Sequence, residues 1–287
     1  MLVMYFDISP KEKEDDFYNY REQLSQLKTY LMKGEKLTFV KGIRRVGKTS
    51  LMKVAYASAP SPKVFVDGRE YPEGRMILNR AFEKILVQIN PSYAIFESLT
   101  SLDIGPFTFN ILQKPITIEE IDKELSKKHL HGYVFIDEAD RVEGLAQLLA
   151  LCYDRTKRIS FVLSGSEVGI INSFFLPTAP LFGRAKGEVE LFPLSKENSM
   201  EFLRLGFAQI KKEFVEKEIV EVVENLDGLV GWLTYYGYLR NEMNHKKALE
   251  KVKKDARLLL TAELSNFLRR QRGEKQRYVG LIRALKR

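Results

Sequence analysis

The sequence predicts an α/β protein: a three-layer sandwich on a parallel five-stranded sheet, followed by an all-helical domain. Three observations carry that expectation. Short apolar runs at 37–41, 63–67, 132–137, 159–164 and 188–192 punctuate the first two thirds of the chain, with helical spacing between them. After Pro193 the pattern changes to helices only. Between the first run and the first helix lies the glycine-bearing loop Gly42-Ile43-Arg44-Arg45-Val46-Gly47-Lys48-Thr49.

Taken in order, Leu37, Thr38, Phe39 and Val40 read as a short buried strand, and Ser50 to Ala57 as the helix after the loop. KVFVD at 63–67 is the second strand, and Ile77, Phe82, Ile85, Leu86 and Ile89 recur at helical spacing. SLTSLDIGPFTFNIL alternates around Gly105-Pro106 and predicts an inserted hairpin at the sheet edge. A helix follows over 118–130, then the strands at 132–137, 159–164 and 188–192. The helical part opens with SKEN at Ser195 and carries Met200, Phe202, Leu203 and Phe207. Helices over 216–226, across GLVGWLTYYGYL and over about 246–270 complete it. The expected division is 1–194 for the α/β domain and 195–272 for a helical lid, leaving 273–287 as a final segment.

Composition narrows the class. At 287 residues and 45% hydrophobic content the chain can bury a sizeable core. The absence of a long apolar run and of a leader-like N-terminus predicts a soluble cytoplasmic protein with no membrane segment. Cys152 is the lone cysteine, and His129, His131 and His245 are scattered, which argues against zinc chemistry and Cys/His catalysis. The formal net charge is +8, with much of the excess after residue 245 in KKALEKVKKDAR and RRQRGEKQR. That basic C-terminal segment predicts weak, sequence-indifferent DNA contact, with a solvated helix face as the alternative.

Residues 42–49 match the phosphate-binding pattern G-x-x-x-x-G-K-[ST] in the strand-loop-helix context that gives it meaning. Gly42 and Gly47 let the backbone curl, so that N–H groups of Ile43, Arg44, Arg45, Val46 and Ser50 face phosphate oxygens at a helix N-terminus. Lys48 is placed to reach the β- and γ-phosphates, and Thr49 to ligate Mg²⁺. Arg44 and Arg45 read as contacts to nearby backbone or acids rather than as reactants.

In HGYVFIDEADR, the apolar run Tyr133–Ile136 ends in Asp137 and Glu138, two carboxylates at the C-terminal edge of a buried parallel strand. Asp137 is the candidate Mg²⁺ holder and Glu138 the candidate base that polarises the attacking water. The alternative makes the pair a cap and first turn of the next helix.

These motifs together resemble the archaeal ATPases of the AAA+/STAND superfamily, P-loop ATPases coupled to a winged-helix domain. GIRRVGKTSLMK resembles the family loop, YVFIDEADR its metal and catalytic strand, FVLSGSEVG the next strand, and PLFGRAKGEVELFPLS the Gly-Arg segment leading into the last. FYNYREQLSQLKTYL resembles its N-terminal Arg-Glu motif beside the adenine, so Arg21 is implied as a wall of that pocket. The resemblance also implies Ser164 as the polar sensor, with Ser166 as alternate, and Arg184 as a γ-phosphate arginine acting in cis or from a neighbouring subunit. Adenine is preferred because of the resemblance and because the chain has no N-K-x-D reader for guanine. Three positions depart from the family: Val230 stands where its lid carries proline, Leu24 where an acidic residue is common, and KQRYVGLIRALKR resembles only the opening helix of the winged-helix domain.

The reading is a Mg-dependent ATPase switch binding ATP and ADP, slow turnover included, with its oligomeric state open. The alternatives are a non-hydrolysing nucleotide-gated module that engages a protein partner, and a nucleic-acid-associated regulator.

Overall fold

The computed structural model describes residues 5–91, 117–165, 174 and 176–270. The expected hairpin around Gly105-Pro106, Ser166 and the segment after residue 270 lie outside them. The chain divides into two compact units. One runs from Ser9 to Pro193, and the other joins Tyr5–Ile8 to the chain from Leu194 onward.

The first unit holds a five-stranded sheet of β1 (Leu37–Lys41), β2 (Lys63–Asp67), β3 (Gly132–Asp137), β4 (Ile159–Ser164) and β5 (Gly187–Glu190). The order is β2-β3-β4-β1-β5, with every pairing parallel. Burial follows position. β3 and β4 are buried along their whole length, whereas β2 and β5 alternate buried and more exposed residues, as edge strands covered on one face do.

Helices α1 (Arg21–Met32), α2 (Lys48–Ser58), α3 (Gly74–Ile89), α4 (Ile118–Lys127) and α5 (Leu145–Arg155) surround the sheet. Ile77, Ile85, Leu125 and Leu149 join Val134 and Phe161 in one buried apolar cluster. Beside α2, Tyr56 stands edge-on to Phe65 and Phe135, with ring centroids 5.7 and 5.5 Å apart. α4 begins in a reciprocal capping box: Thr117 Oγ1 accepts from the Glu120 N–H, and Glu120 Oε2 accepts from the Thr117 N–H.

Both margins of the sheet meet a glutamine. On β2, Gln88 Oε1 accepts from the Lys63 N–H at 2.9 Å while its Nε2 donates to the Lys63 carbonyl at 2.8 Å. On β5, Gln26 Nε2 donates to the Glu188 carbonyl at 3.2 Å.

The second unit contains α6 (Lys196–Gln209), α7 (Glu216–Leu226), α8 (Val230–Leu239) and α9 (His245–Arg270). Ser195 caps α6 by accepting from the Asn198 N–H at 3.1 Å. Phe6 fills a slot made by two glycines: a Cβ built on Gly206 or Gly237 would lie 2.3 or 2.2 Å from its ring. Phe202 and Phe207 stand edge-on to that ring, at 5.9 and 5.2 Å between centroids. The Tyr5 N–H donates to Gln209 Oε1, tying the same segment to the end of α6. Among the described residues no helix is long and apolar enough to cross a membrane.

Candidate nucleotide site

The loop after β1 takes its shape from residues that tolerate positive φ. Gly42 lies at φ 146° and Gly47 at φ 110°, with Arg45 at 67° between them. A side chain on Gly42 would also strike the Leu191 carbonyl at 2.7 Å. Gly47 is the residue before α2, so the helix begins within the motif itself, at Lys48. Val46 is fully buried, which anchors the loop and leaves only its backbone for a ligand, while the Ile43 side chain is exposed.

Lys48 Nζ donates to the carbonyls of Gly42 at 2.7 Å and Ile43 at 3.0 Å, closing the loop on itself. Burial pushes its ammonium below the usual lysine range, against the pull of Glu138, Asp137 and Asp140. An anion entering the loop would therefore meet a partly desolvated cation and a helix N-terminus together.

Asp137 ends β3, and β4 lies between β3 and β1. Its two oxygens are shared out: Thr49 Oγ1 donates to Oδ2 at 2.7 Å, and Ser164 Oγ, at the end of β4, donates to Oδ1 in a short bond. Asp137 and Ser164 are 3% and 0% exposed. Two sequence candidates from separate segments, Thr49 and Ser164, thus converge on the carboxylate of a third, Asp137. A hydroxyl and a carboxylate in contact are hard oxygen donors of the kind Mg²⁺ takes alongside substrate phosphates. Among the described residues no group of three or more His, Cys, Asp or Glu side chains forms a metal cage.

Glu138 sits at φ 51° and precedes a 3-10 turn, Ala139–Arg141. Its Oε2 accepts from Arg141 Nε at 2.9 Å. Glu138 thus begins a turn without capping it through its side chain, its backbone N–H donates to Asp137 Oδ1 at 3.1 Å, and its charge lies in the field of Lys48.

Two candidates are not brought to the loop. Arg184 Nη2 and Nε donate to Asp154 at 2.9 and 3.2 Å, and Nη1 donates to the Pro180 carbonyl. Asp154 is in the last turn of α5 and Arg184 precedes β5, which places both at the sheet edge opposite the loop. In this arrangement Arg184 is held by Asp154 and the Pro180 carbonyl rather than at the loop. Arg21 lines a groove of about 610 Å³ on the outer face of α1, with Glu22, Gln26, Tyr30 and Lys33 but no loop residue. Leu24, one of the family departures, is 2% exposed and packs inward, where a carboxylate would be stranded.

Sequence reasoning missed a second acid–base pair at the same edge. Asp67 ends β2 in register with Asp137 and binds Arg69 through Nε, Nη2 and the backbone N–H. Burial opposes ionisation of Asp67, but the Arg69 bonds hold it below the usual carboxylate range. Gly68 follows, and a Cβ there would lie 2.5 Å from the Glu138 carbonyl. The signal available was a carboxylate at the C-terminal end of a neighbouring parallel strand.

Comparison with known proteins bears on the family and the fold. Residues 17–236 match the model of an ATPase domain predominantly from Archaea. The Walker-type ATPase of Pyrococcus abyssi is 29% identical with a TM-score of 0.71, over 93% of this chain and 80% of that one. The Aeropyrum pernix ORC2 protein, solved in ADPNP–ADP complexes, is 14% identical with a TM-score of 0.56, over 87% of this chain and 71% of that one. The Thermotoga maritima RuvB Holliday junction branch migration motor, 14% identical with a TM-score of 0.50, covers 86% and 73%. These last two share the fold. No curated protein matches the sequence. With the family model spanning most of its length and the phosphate loop, Asp137 and Ser164 assembled at one sheet edge, the chain belongs to the ATPase family found predominantly in Archaea: it is a nucleotide-binding P-loop ATPase.

Proposed function

We propose that the chain is a Mg²⁺-dependent ATPase switch of the AAA+/STAND kind, passing nucleotide state from the α/β unit to the helical unit. The observation that carries this reading is the Thr49–Asp137 contact of 2.7 Å, which gathers the two candidate metal ligands beside the loop. Bound there, Mg²⁺ would neutralise charge on the β- and γ-phosphate oxygens.

The chain's own residues supply the rest. Backbone N–H groups from Gly42 to Ser50 cradle the phosphates, and Lys48 exchanges its loop carbonyls for β- and γ-oxygens. Ser164 holds Asp137 in place, and through it the geometry of the attacked phosphorus. Glu138 accepts a proton from the attacking water. Arg184 serves only from a neighbouring subunit, stabilising charge in the transition state.

The test compares the parent with Glu138→Gln, which keeps shape and removes the base. Hydrolysis should fall by roughly 10² or more with ATP affinity largely kept. Parental turnover by Glu138→Gln would favour the nucleotide-gated module, which holds ATP or ADP and presents a surface to a protein partner.

The basic C-terminal segment supports one further reading, weak DNA contact by phosphate neutralisation. Binding that vanishes with salt and ignores sequence is its signature. A cytoplasmic location fits a chain whose one cysteine, Cys152, is a buried thiol.

A further inference from the structure

A groove lies along the open edge of the sheet, away from the phosphate loop. It holds about 300 Å³ beside β2, and Tyr56 of α2, Lys63 and Phe65 of β2, and Arg80, Lys84 and Gln88 of α3 line it. We propose that this groove is a second nucleotide site, which binds a nucleoside monophosphate by its base on the Phe65 main chain and by its phosphate on Arg80 and Lys84.

The base end follows from the ladder. In a parallel pair, alternate residues of a strand turn both main-chain groups toward the same neighbour. The Tyr133 N–H bonds the Pro62 carbonyl, so Val64 and Val66 turn to β3 while Lys63 and Phe65 turn outward. Gln88 takes both groups of Lys63. The N–H and C=O of Phe65 have no partner among the described residues, and they stand as one donor beside one acceptor. A base edge that carries a ring-nitrogen acceptor next to an exocyclic amino donor, as adenine's does, is their complement. Tyr56 gives the same end an aromatic wall, edge-on to Phe65 at 5.7 Å between centroids.

The phosphate end is set by α3. Arg80 and Lys84 are four residues apart and share one face of that helix. Arg80 Nη1 reaches Glu83 Oε2 only at 3.4 Å, between side chains 39% and 58% exposed, a contact that an entering phosphate can displace. Lys84 is exposed, with no side-chain partner among the described residues. Lys63 supplies fixed charge rather than a donor, because its Nζ already bonds the carbonyls of Tyr56, Ala57 and Ala59 at the end of α2. A volume of about 300 Å³ is at the small end for ligand pockets, which suits one mononucleotide rather than a longer chain.

Calorimetry on the full chain with AMP as the probe tests the site. It is run with a non-hydrolysable ATP analogue and Mg²⁺ saturating the phosphate loop, and again on Lys48→Ala without the analogue. AMP should bind once per chain in both, with a Kd of about 1 mM or tighter. The double variant Arg80→Glu/Lys84→Glu should weaken AMP about tenfold or more and leave the affinity for the ATP analogue unchanged. Inorganic phosphate, and AMP dimethylated on its exocyclic amine so that it has no hydrogen to donate, should each bind about tenfold more weakly than AMP.

AMP binding that is weaker than about 1 mM in both settings would overturn the second site. So would AMP affinity untouched by the double charge reversal, or AMP binding lost both to the ATP analogue and to Lys48→Ala, which would put the nucleotide in the phosphate loop. Equal affinities for AMP, its dimethylated form and phosphate would overturn the role of Phe65 and reduce the groove to an anion site.

Discussion

Thr49 Oγ1 and Asp137 Oδ2 lie 2.7 Å apart, although 88 residues separate them in sequence. The first comes from the helix after β1 and the second from the end of β3, with β4 between the two strands. Parallel pairing brings the strand ends to one edge, and the loop sets Thr49 back across β4 onto the far carboxylate.

Asp137→Asn keeps a hydrogen-bond acceptor for Thr49 but removes the anionic charge. ATP affinity measured by calorimetry with and without Mg²⁺ should show the metal-dependent increment reduced, while affinity in chelator stays close to the parent's. An undiminished increment would place the metal on other ligands.

Ser164→Ala withdraws one of the two donors to Asp137 Oδ1 in a buried setting, leaving the Glu138 N–H at 3.1 Å. A buried carboxylate left short of a donor costs about 1–3 kcal/mol. The denaturation midpoint should fall accordingly, and kcat should fall more than ATP affinity, because the lost bond orients Asp137 rather than the loop. A change in affinity alone would argue that Ser164 touches nucleotide directly.

His131 predicts a pH dependence of stability. Its Nε2 is 2.8 Å from Ser160 Oγ. Burial, helped by Arg158 and opposed by Asp122, holds its pKa below the ordinary 6.5. Between the folded and unfolded values the unfolded chain binds more protons. The stability contributed by neutral His131 is therefore full above the ordinary value and is lost as pH falls through the folded one. Denaturant midpoints across that range should drop less steeply for His131→Gln than for the parent.

Phe6→Ala empties the slot between Gly206 and Gly237. Removing a buried phenylalanine costs about 3–5 kcal/mol. The loss should appear as reduced amide protection in α6 and α8, with the strands of the sheet protected as before. Equal protection of α6 in both proteins would mean that the segment is dispensable.

Much of this was legible in the sequence, for identifiable reasons. β1, β3 and β4 are central strands buried on both faces, so they appear as mainly apolar runs, interrupted by Thr38 and Ser160, with their expected bounds. β5 starts one residue early and ends at Glu190, after which the Leu191 N–H still bonds the Lys41 carbonyl as the chain leaves the sheet. The helix expected from Ser50 begins at Lys48, because Gly47 in the left-handed region already starts it. What escaped were relationships with no local pattern. Phe6 packs against residues some two hundred positions away. Arg184 is tied by Asp154, which no motif marks. The Arg141–Glu138 contact had a signal in its spacing, three residues apart as in a helical turn, but the motif drew attention only to the carboxylates.

The two glutamines at the sheet margins bear on how copies of this protein meet. Gln88 already satisfies both main-chain groups of Lys63, and Gln26 the carbonyl of Glu188, so an incoming strand from a second molecule would first have to displace a side-chain amide. Pairing of a further strand at Lys63 and at the Glu188 carbonyl is thereby disfavoured.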